Sequence, residues 1–283
     1  MSVDAGLTCP TRDGTKGVGG CIYCDARGSG AYHIRGERLE EQIRAGADFG
    51  RTRYGASKFI VYFQAFTNTY APVERLAALY ETALAQPDVV GLAIATRPDC
   101  VPDPVLDLIA GYARMHYVWM EYGVQSARDE TLRAIHRGHT TAQFVDAVRR
   151  TKERHIRVCA HVMLGLPGES RTDMMATADL VADLDLDGIK IHPTYVLRGA
   201  VLETMYEQGA FAPLEMDAYV GLACDVLERM PERMVVQRIT GEAPEGVLVA
   251  PGWCLEKHKV LRGIRDELAR RDSRQGQKRG VTG

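Results

Sequence analysis

Apolar positions along this chain come in two alternating kinds. Short runs rich in β-branched and aromatic residues lie at 58–64 (KFIVYFQ), 89–96 (VVGLAIAT), 116–122 (HYVWMEY), 156–164 and 188–194 (GIKIHPT). Between them apolar residues recur every three or four positions, as at Leu39, Ile43 and Ala47, which is the period of an amphipathic helix. Helices are predicted over 36–54, 73–85 and 104–114, in the stretch up to 154, and over 170–184. The last of these starts behind a Ser170-x-x-Asp173 cap, and Pro104 suits a first helical turn, where no backbone N–H is needed. Near-continuous apolar strands separated by helices predict parallel pairing with helices on the outside. With one short strand ahead of Cys9, six β/α units fall within residues 1–210. A closed eight-unit barrel needs about 250 residues, so the predicted fold class is α/β, a partial (β/α)6 TIM-like barrel. Residues 1–213 are read as that core. Residues 214–283 are read as a small C-terminal α/β extension: a helix over 214–229, a strand over 234–239, a Gly/Pro-rich loop, and a last basic helix and tail.

The cysteines add chemistry to this frame. Cys9, Cys21 and Cys24 share a glycine-rich loop of sixteen residues. Thiolates spaced like this hold metals. A structural zinc wants four closed ligands, and the next donor, His33, lies nine residues past Cys24. Three thiolates on a 4Fe–4S cluster would leave one iron open to another ligand. The residues taken alone leave both readings standing. Of the other cysteines, Cys159 and Cys224 lie in apolar stretches and read as small core residues, while Cys100 and Cys254 fall in loops. The opening MSVDAGLTCP has neither the basic start nor the apolar core of a signal peptide. Seven cysteines in such a chain argue for ligands and thiols rather than disulfides, with a cytoplasmic location and no membrane partner as the expectation.

With 46% hydrophobic and 25% charged residues, the composition is that of an ordinary globular protein. The net charge of −2 excludes little, but its distribution is uneven. Residues 257–279 hold nine Lys/Arg against three Asp/Glu, a local balance of +6. Such an end could touch nucleic acid; a solvated terminal helix is the competing reading. In parallel α/β folds, sites form where strand C-termini meet their loops. Those positions hold Gln64, Thr67, Asn68, Thr96, Arg97, Glu121, Gln125, His161, Lys190 and His192.

Several segments resemble the radical S-adenosylmethionine (SAM) superfamily. The cysteine triad follows a first strand. EYGVQSARDETLRAIHRGHT (121–140) is similar to a family segment in which a Glu-x-Gly-x-Gln-Ser strand end precedes Arg-Gly-His-Thr. HVMLGLPGES (161–170) resembles the fifth-strand segment, and GIKIHPTYVLRGAVLETMYEQGAF (188–211) resembles the sixth-strand segment of the Elongator catalytic subunit's radical SAM domain. CPTRDGTKGVGGCIYC, FQAFTNTYAP (63–72) and RITGEAPEGVLVAPGW (238–253) resemble a YhcC-like bacterial subfamily, related to that domain and to oxygen-independent coproporphyrinogen-oxidase-like proteins.

The resemblance implies cofactors and roles. Cys9, Cys21 and Cys24 would ligate three irons of a 4Fe–4S cluster, with SAM on the fourth. The loop between the first two cysteines is longer than the superfamily's usual spacing and agrees with this branch. Tyr23 would pack near the adenine; Phe66, Thr67 and Asn68 would meet the methionine end; Gln125 and Arg137 match ribose- and carboxylate-binding positions. His161 stands where relatives carry an Asp. Relatives also carry more residues ahead of the first cysteine than the eight found here. No second Cys-x-x-Cys pair is present, so one cluster is expected.

The implied activity is reductive cleavage of SAM to a 5′-deoxyadenosyl radical, with a flavodoxin or ferredoxin as electron donor. Likeness to the Elongator domain implies tRNA as substrate, modified at the C5 side chain of a wobble uridine, with Lys190, His192 and Tyr195 as the residues meeting it; no DNA is expected. Its acetyl-transfer segment has no counterpart in these residues, so that chemistry is not expected. Two alternatives stay open: the same radical chemistry on a small molecule or tetrapyrrole, and a zinc-stabilised RNA-binding protein without catalysis.

Overall fold

The computed structural model describes residues 1–28, 38–241, 243 and 246–278. His33 and the start of the predicted 36–54 helix lie outside them. Strand β1 (Ser2–Val3) leads through the cysteine loop to α1 (Leu39–Tyr54), and β2 (Phe59–Phe63) leads to α2 (Val73–Leu84). Then follow β3 (Val89–Thr96), α3 (Asp103–Ala113), β4 (Tyr117–Gln125), α4 (Asp129–Ala134), α5 (Thr141–Glu153), β5 (Arg157–Leu164), α6 (Arg171–Asp183) and β6 (Gly188–Pro193). The chain continues through β7 (Val196–Leu197), α7 (Val201–Glu207), α8 (Met216–Arg229), β8 (Val235–Arg238), β9 (Leu248–Ala250) and α9 (Lys257–Arg270).

Seven strands form one sheet in the order β1-β2-β3-β4-β5-β6-β8. Strand order that follows chain order, with a helix in each crossover, is the topology of a partial TIM-like barrel, as the apolar runs predict. The count differs. The 234–239 strand, read from the sequence as part of an extension, pairs parallel with β6 and makes a seventh strand. Three short elements were also missed: α7, and β7 with β9, which pair antiparallel in a small second sheet.

The chain packs into two compact units. Residues 1–20, 27–123 and 142–158 form one; residues 21–26, 124–141 and 159–283 form the other. In the first unit, Val61, Phe63, Leu92 and Ile94 are fully buried, as are Leu76 and Tyr80 of α2 and Leu106 and Ile109 of α3, and the Phe63 and Tyr80 rings meet edge-on at 5.3 Å. Gly91 is required there: a Cβ would lie 1.9 Å from the Tyr117 carbonyl oxygen of the paired strand. In the second unit, Ile189 and Ile191 of β6 are buried, and α6 opens with the predicted cap, Ser170 Oγ accepting from the Asp173 backbone N–H while Asp173 accepts from that of Ser170.

The basic end belongs to this second unit and is not a free positive surface. Arg271 pairs with Asp225 at 2.8 Å and Glu228 at 3.3 Å, Arg270 with Glu267 at 2.7 Å, and Arg274 with Glu232 at 3.4 Å. Lys278 pairs with Glu228, and Lys259 with Glu256. Among the described residues, Arg262 and Arg265 are the exposed arginines of α9 that make no ion pair within that end. No helix among the described residues is long and apolar enough to cross a membrane.

Candidate functional site

In the first unit the residues around Cys9 form a buried polar cluster. The Cys9 carbonyl accepts from the backbone N–H groups of Arg12 and Asp13, starting a tight turn, and its Sγ lies 3.2 Å from Thr11 Oγ1. Burial pushes the Cys9 thiol up. The Thr11 hydroxyl, the Thr67 hydroxyl and the Arg97 charge outweigh that, and the thiol sits below its ordinary pKa. The Thr67 hydroxyl makes no hydrogen bond of ordinary length and angle, so its Oγ1 is left buried without a full partner. Asn68 is fully buried; its Nδ2 donates to the Ala65 and Ala95 carbonyls at 2.9 and 3.0 Å, and its Oδ1 has no partner. Phe66 carries a positive φ of 60°, and the Arg12 guanidinium stands 5.5 Å from its ring centre.

An ion triad anchors this loop. Arg97 and Asp99 are each 1% exposed in their side chains and form a fork, Nε to Oδ1 at 3.0 Å and Nη2 to Oδ2 at 2.9 Å. Lys16, in the middle of the cysteine loop, reaches the same carboxylate at 2.5 Å. Burial would raise the Asp99 pKa; Arg97 and then Lys16 hold it below the usual carboxylate range.

The second unit carries the Cys21–Cys24 segment. The Ile22 backbone N–H donates to the Ile135 carbonyl at 3.1 Å, and the Ile22 carbonyl accepts from Leu202 at 2.9 Å. Ile22 itself is buried with Leu132, Ile135, Leu166 and Leu202. These bonds bring the Arg-Gly-His-Thr segment beside the thiols: Arg137, 7% exposed, places Nη1 3.7 Å from Cys21 Sγ. Burial and then the neighbouring Cys21 raise the Tyr23 hydroxyl well above its ordinary pKa, opposed by Arg137. Cys21, Tyr23 and Arg137, singled out separately in the sequence, therefore form one cluster. Gln125, at the end of β4, has a φ of 68°. Phe66 and Gln125 are both non-glycine residues held in the left-handed region, a conformation costing about 1–3 kcal/mol that gathers at functional sites.

Further along this unit, Lys190 and His192 share the face of β6 opposite Ile189 and Ile191. The His161 and His192 rings stand 6.1 Å apart. Burial, followed by the Arg238, His161 and Lys190 charges, holds the His192 imidazole well below its ordinary pKa. Burial pushes the Tyr195 hydroxyl up to about 12. The structure adds Arg238 to the residues chosen from the sequence; it opens the 238–253 segment of the resemblance, which gave it no role of its own.

The remaining cysteines have no such surroundings. Burial pushes Cys100 and Cys254 up to about 12 and Cys224 up to about 11, and Cys159 is fully buried on β5. None of the seven cysteines is in a disulfide. Among the described residues, no three His, Cys, Asp or Glu side chains converge as a single-ion site would need. A cluster makes a different demand, one thiolate per iron. A buried thiol favoured as thiolate at Cys9 and a guanidinium beside Cys21 fit that demand.

Comparison with known proteins defines the class. Residues 14–181 match the Radical SAM superfamily and residues 186–270 match the Radical_SAM C-terminal domain. The chain belongs to the radical SAM superfamily, and its cofactors are a 4Fe–4S cluster and SAM. Within it, the sequence is 44% identical to YtqA of Bacillus subtilis over 98% of this chain and 86% of that protein. It is 36% identical to YhcC of Escherichia coli K12 over 90% of this chain and 82% of that protein. A tRNA uridine(34) acetyltransferase of Dehalococcoides mccartyi is 28% identical over 70% of this chain and 42% of its own length. The solved structure of Methanocaldococcus infernus Elp3 shares the fold, with a TM-score of 0.71 at 20% identity over 84% of this chain and 60% of that one.

Proposed function

We propose that this radical SAM enzyme modifies the C5 side chain of a tRNA wobble uridine. The observation that carries the reading is the match, over 70% of the chain, to a relative named for tRNA uridine 34. An anticodon-loop base is already unpaired, so it can be splayed into a pocket without melting a duplex. When bound, the cluster and SAM supply one-electron chemistry that yields a 5′-deoxyadenosyl radical for hydrogen abstraction. Cys9, Cys21 and Cys24 hold the cluster. Tyr23, Phe66, Thr67, Asn68, Gln125, Arg137 and His161 hold SAM, where two buried groups without a full hydrogen-bond partner, Thr67 Oγ1 and Asn68 Oδ1, are suited to a polar ligand. Lys190, His192 and Tyr195 meet the base. Residues 1–213 carry the catalytic groups, and 214–283 complete the sheet through β8. The protein works in the cytoplasm with a flavodoxin- or ferredoxin-like donor.

The test is anaerobic reconstitution with iron, sulfide, reductant and SAM, with bulk tRNA added and 5′-deoxyadenosine measured. Wobble nucleosides of a deletion strain are compared by mass spectrometry. Arg262→Glu together with Arg265→Glu should raise the apparent KM for tRNA and reduce its salt dependence, leaving tRNA-independent SAM cleavage intact. Unaltered wobble nucleosides and turnover that tRNA never stimulates would reject the substrate and leave the superfamily assignment standing.

A further inference from the structure

Three basic residues stand in one row across the sheet of the second unit. His161 on β5 is the register partner of Lys190 on β6, and Lys190 pairs with Arg238 on β8 just past a register shift that skips Gln237. Regular parallel register puts His161 and Lys190 on one face, and Arg238 is near that face because its charge acts on both His192 and Tyr195. His192 lies on that face two residues beyond Lys190, and the charges acting on its imidazole, from Arg238, His161 and Lys190, are all positive. Thr194 follows at the same period, where its backbone N–H continues the ladder by donating to the Leu164 carbonyl at 2.9 Å.

Two of these groups lack what they need. Thr194 is 2% exposed and its hydroxyl has no hydrogen-bond partner. Arg238 is half-buried and makes no ion pair among the described residues. A buried hydroxyl without a partner is destabilising, and a guanidinium placed among other cations is costly unless an anion joins it. His161 and Lys190 have partners within the chain, so the groups that a ligand would newly satisfy are Arg238 and Thr194.

We propose that Lys190 and Arg238, closed by His192 and Thr194 and bordered by the SAM-side His161, form an oxyanion-binding site that takes a carboxylate or phosphate of the substrate. The site deepens the reading of Lys190 and His192 as substrate-facing and rests on it. It assigns to them a chemical class of ligand: the group recognised is anionic, and Arg238 grips it through its fork. A phosphate would come from the nucleotide backbone, and a carboxylate from a substituent already on the base.

The site can be read without turnover. Phenylglyoxal labels arginines, and peptide mass spectrometry resolves which. On the reconstituted holoenzyme, labelling of Arg238 should slow saturably as inorganic phosphate or acetate is added across the millimolar range. Protection by phosphate alone identifies the backbone as the source; protection by acetate alone identifies a carboxylate substituent. Labelling of exposed Arg262 on α9 should be unaffected. Thr194→Val, which keeps the shape, and Lys190→Gln should each require about tenfold more anion for the same protection, the loss of one contact to a charged group. Arg238 labelling that neither anion slows, equal protection of Arg262, or undiminished protection in both variants would overturn the site. Anion protection with no tRNA stimulation would leave the site standing and reject tRNA. Stimulation by tRNA without anion protection would do the reverse.

Discussion

Replacing Asp99 by Asn keeps the shape of the side chain and removes its charge, leaving the Arg97 guanidinium buried beside a neutral amide. Both side chains are 1% exposed, so solvent cannot take over the lost interaction. Removing one partner of a buried, forked ion pair costs about 3–5 kcal/mol. The amide oxygen can still accept one bond from Arg97, which places the expected loss near the lower end, about 3 kcal/mol. Lys16 loses its partner too but is 36% exposed in its side chain, so its share is small. Urea unfolding of the cluster-free protein measures the total. Acid adds a second reading. The folded pKa of Asp99 is depressed, so its contribution is complete above the unfolded value, near 4, and is lost as pH falls through the lower folded value. Asp99→Asn should therefore flatten the acid limb of the stability curve. Arg97→Met with Asp99→Leu, which empties the site of charge, should cost clearly less than the two single changes added together. A loss below about 1 kcal/mol in Asp99→Asn, or strict additivity in the double variant, would refute the reasoning.

Each of Cys9→Ala, Cys21→Ala and Cys24→Ala should lose the cluster, whereas Cys159→Ala and Cys224→Ala should keep it; iron and sulfide analysis decides, and full iron in Cys9→Ala would remove that residue from the ligand set. His192 faces Arg238, His161 and Lys190, and its folded pKa is lowered. Its contribution to stability is complete above the unfolded value near 6.5 and is lost as pH falls from there towards the folded value. His192→Asn should reduce the slope of urea midpoint against pH below about 6.5, and an unchanged slope would reject this account.

The central strands were legible because burial on both faces writes them as apolar runs. β2, β3, β5 and β6 lie within a residue or two of their predicted bounds. β8 was legible as a strand but not as a member of the sheet: none of Val235, Val236, Gln237 and Arg238 is fully buried, and no local pattern says which strand they join. β7 and β9 were illegible. Two and three residues long, they exist because Val196 meets Ala250 and Leu197 meets Leu248, pairings with no periodic trace. At the site, cysteine spacing announced the thiols, whereas the SAM-binding roles came from resemblance to a family. The Lys16–Asp99 contact spans 83 residues, and nothing near either residue marks it.

The basic end shows most clearly what a window of sequence leaves out. Counted alone, residues 257–279 carry +6. Apart from Glu267, the partners that neutralise them lie elsewhere in the chain: Asp225 and Glu228 on α8, Glu232 just beyond it, and Glu256 immediately before α9. The tail runs back along α8, with Gly276 donating to the Leu227 carbonyl at 3.2 Å and Lys278 to the Glu228 carbonyl at 2.8 Å. Glu228 has a fully buried side chain, and Arg271 and Lys278 are its counter-charges. Deleting the tail would strand that carboxylate away from water, a cost of several kcal/mol, and expose Val260 and Ile264 of α9 if the helix went with it. A truncated protein that failed with tRNA would therefore report lost structure as readily as lost phosphate contacts. Charge reversal at Arg262 and Arg265 separates the two, because both side chains are exposed and outside the ion pairs that hold the tail in place.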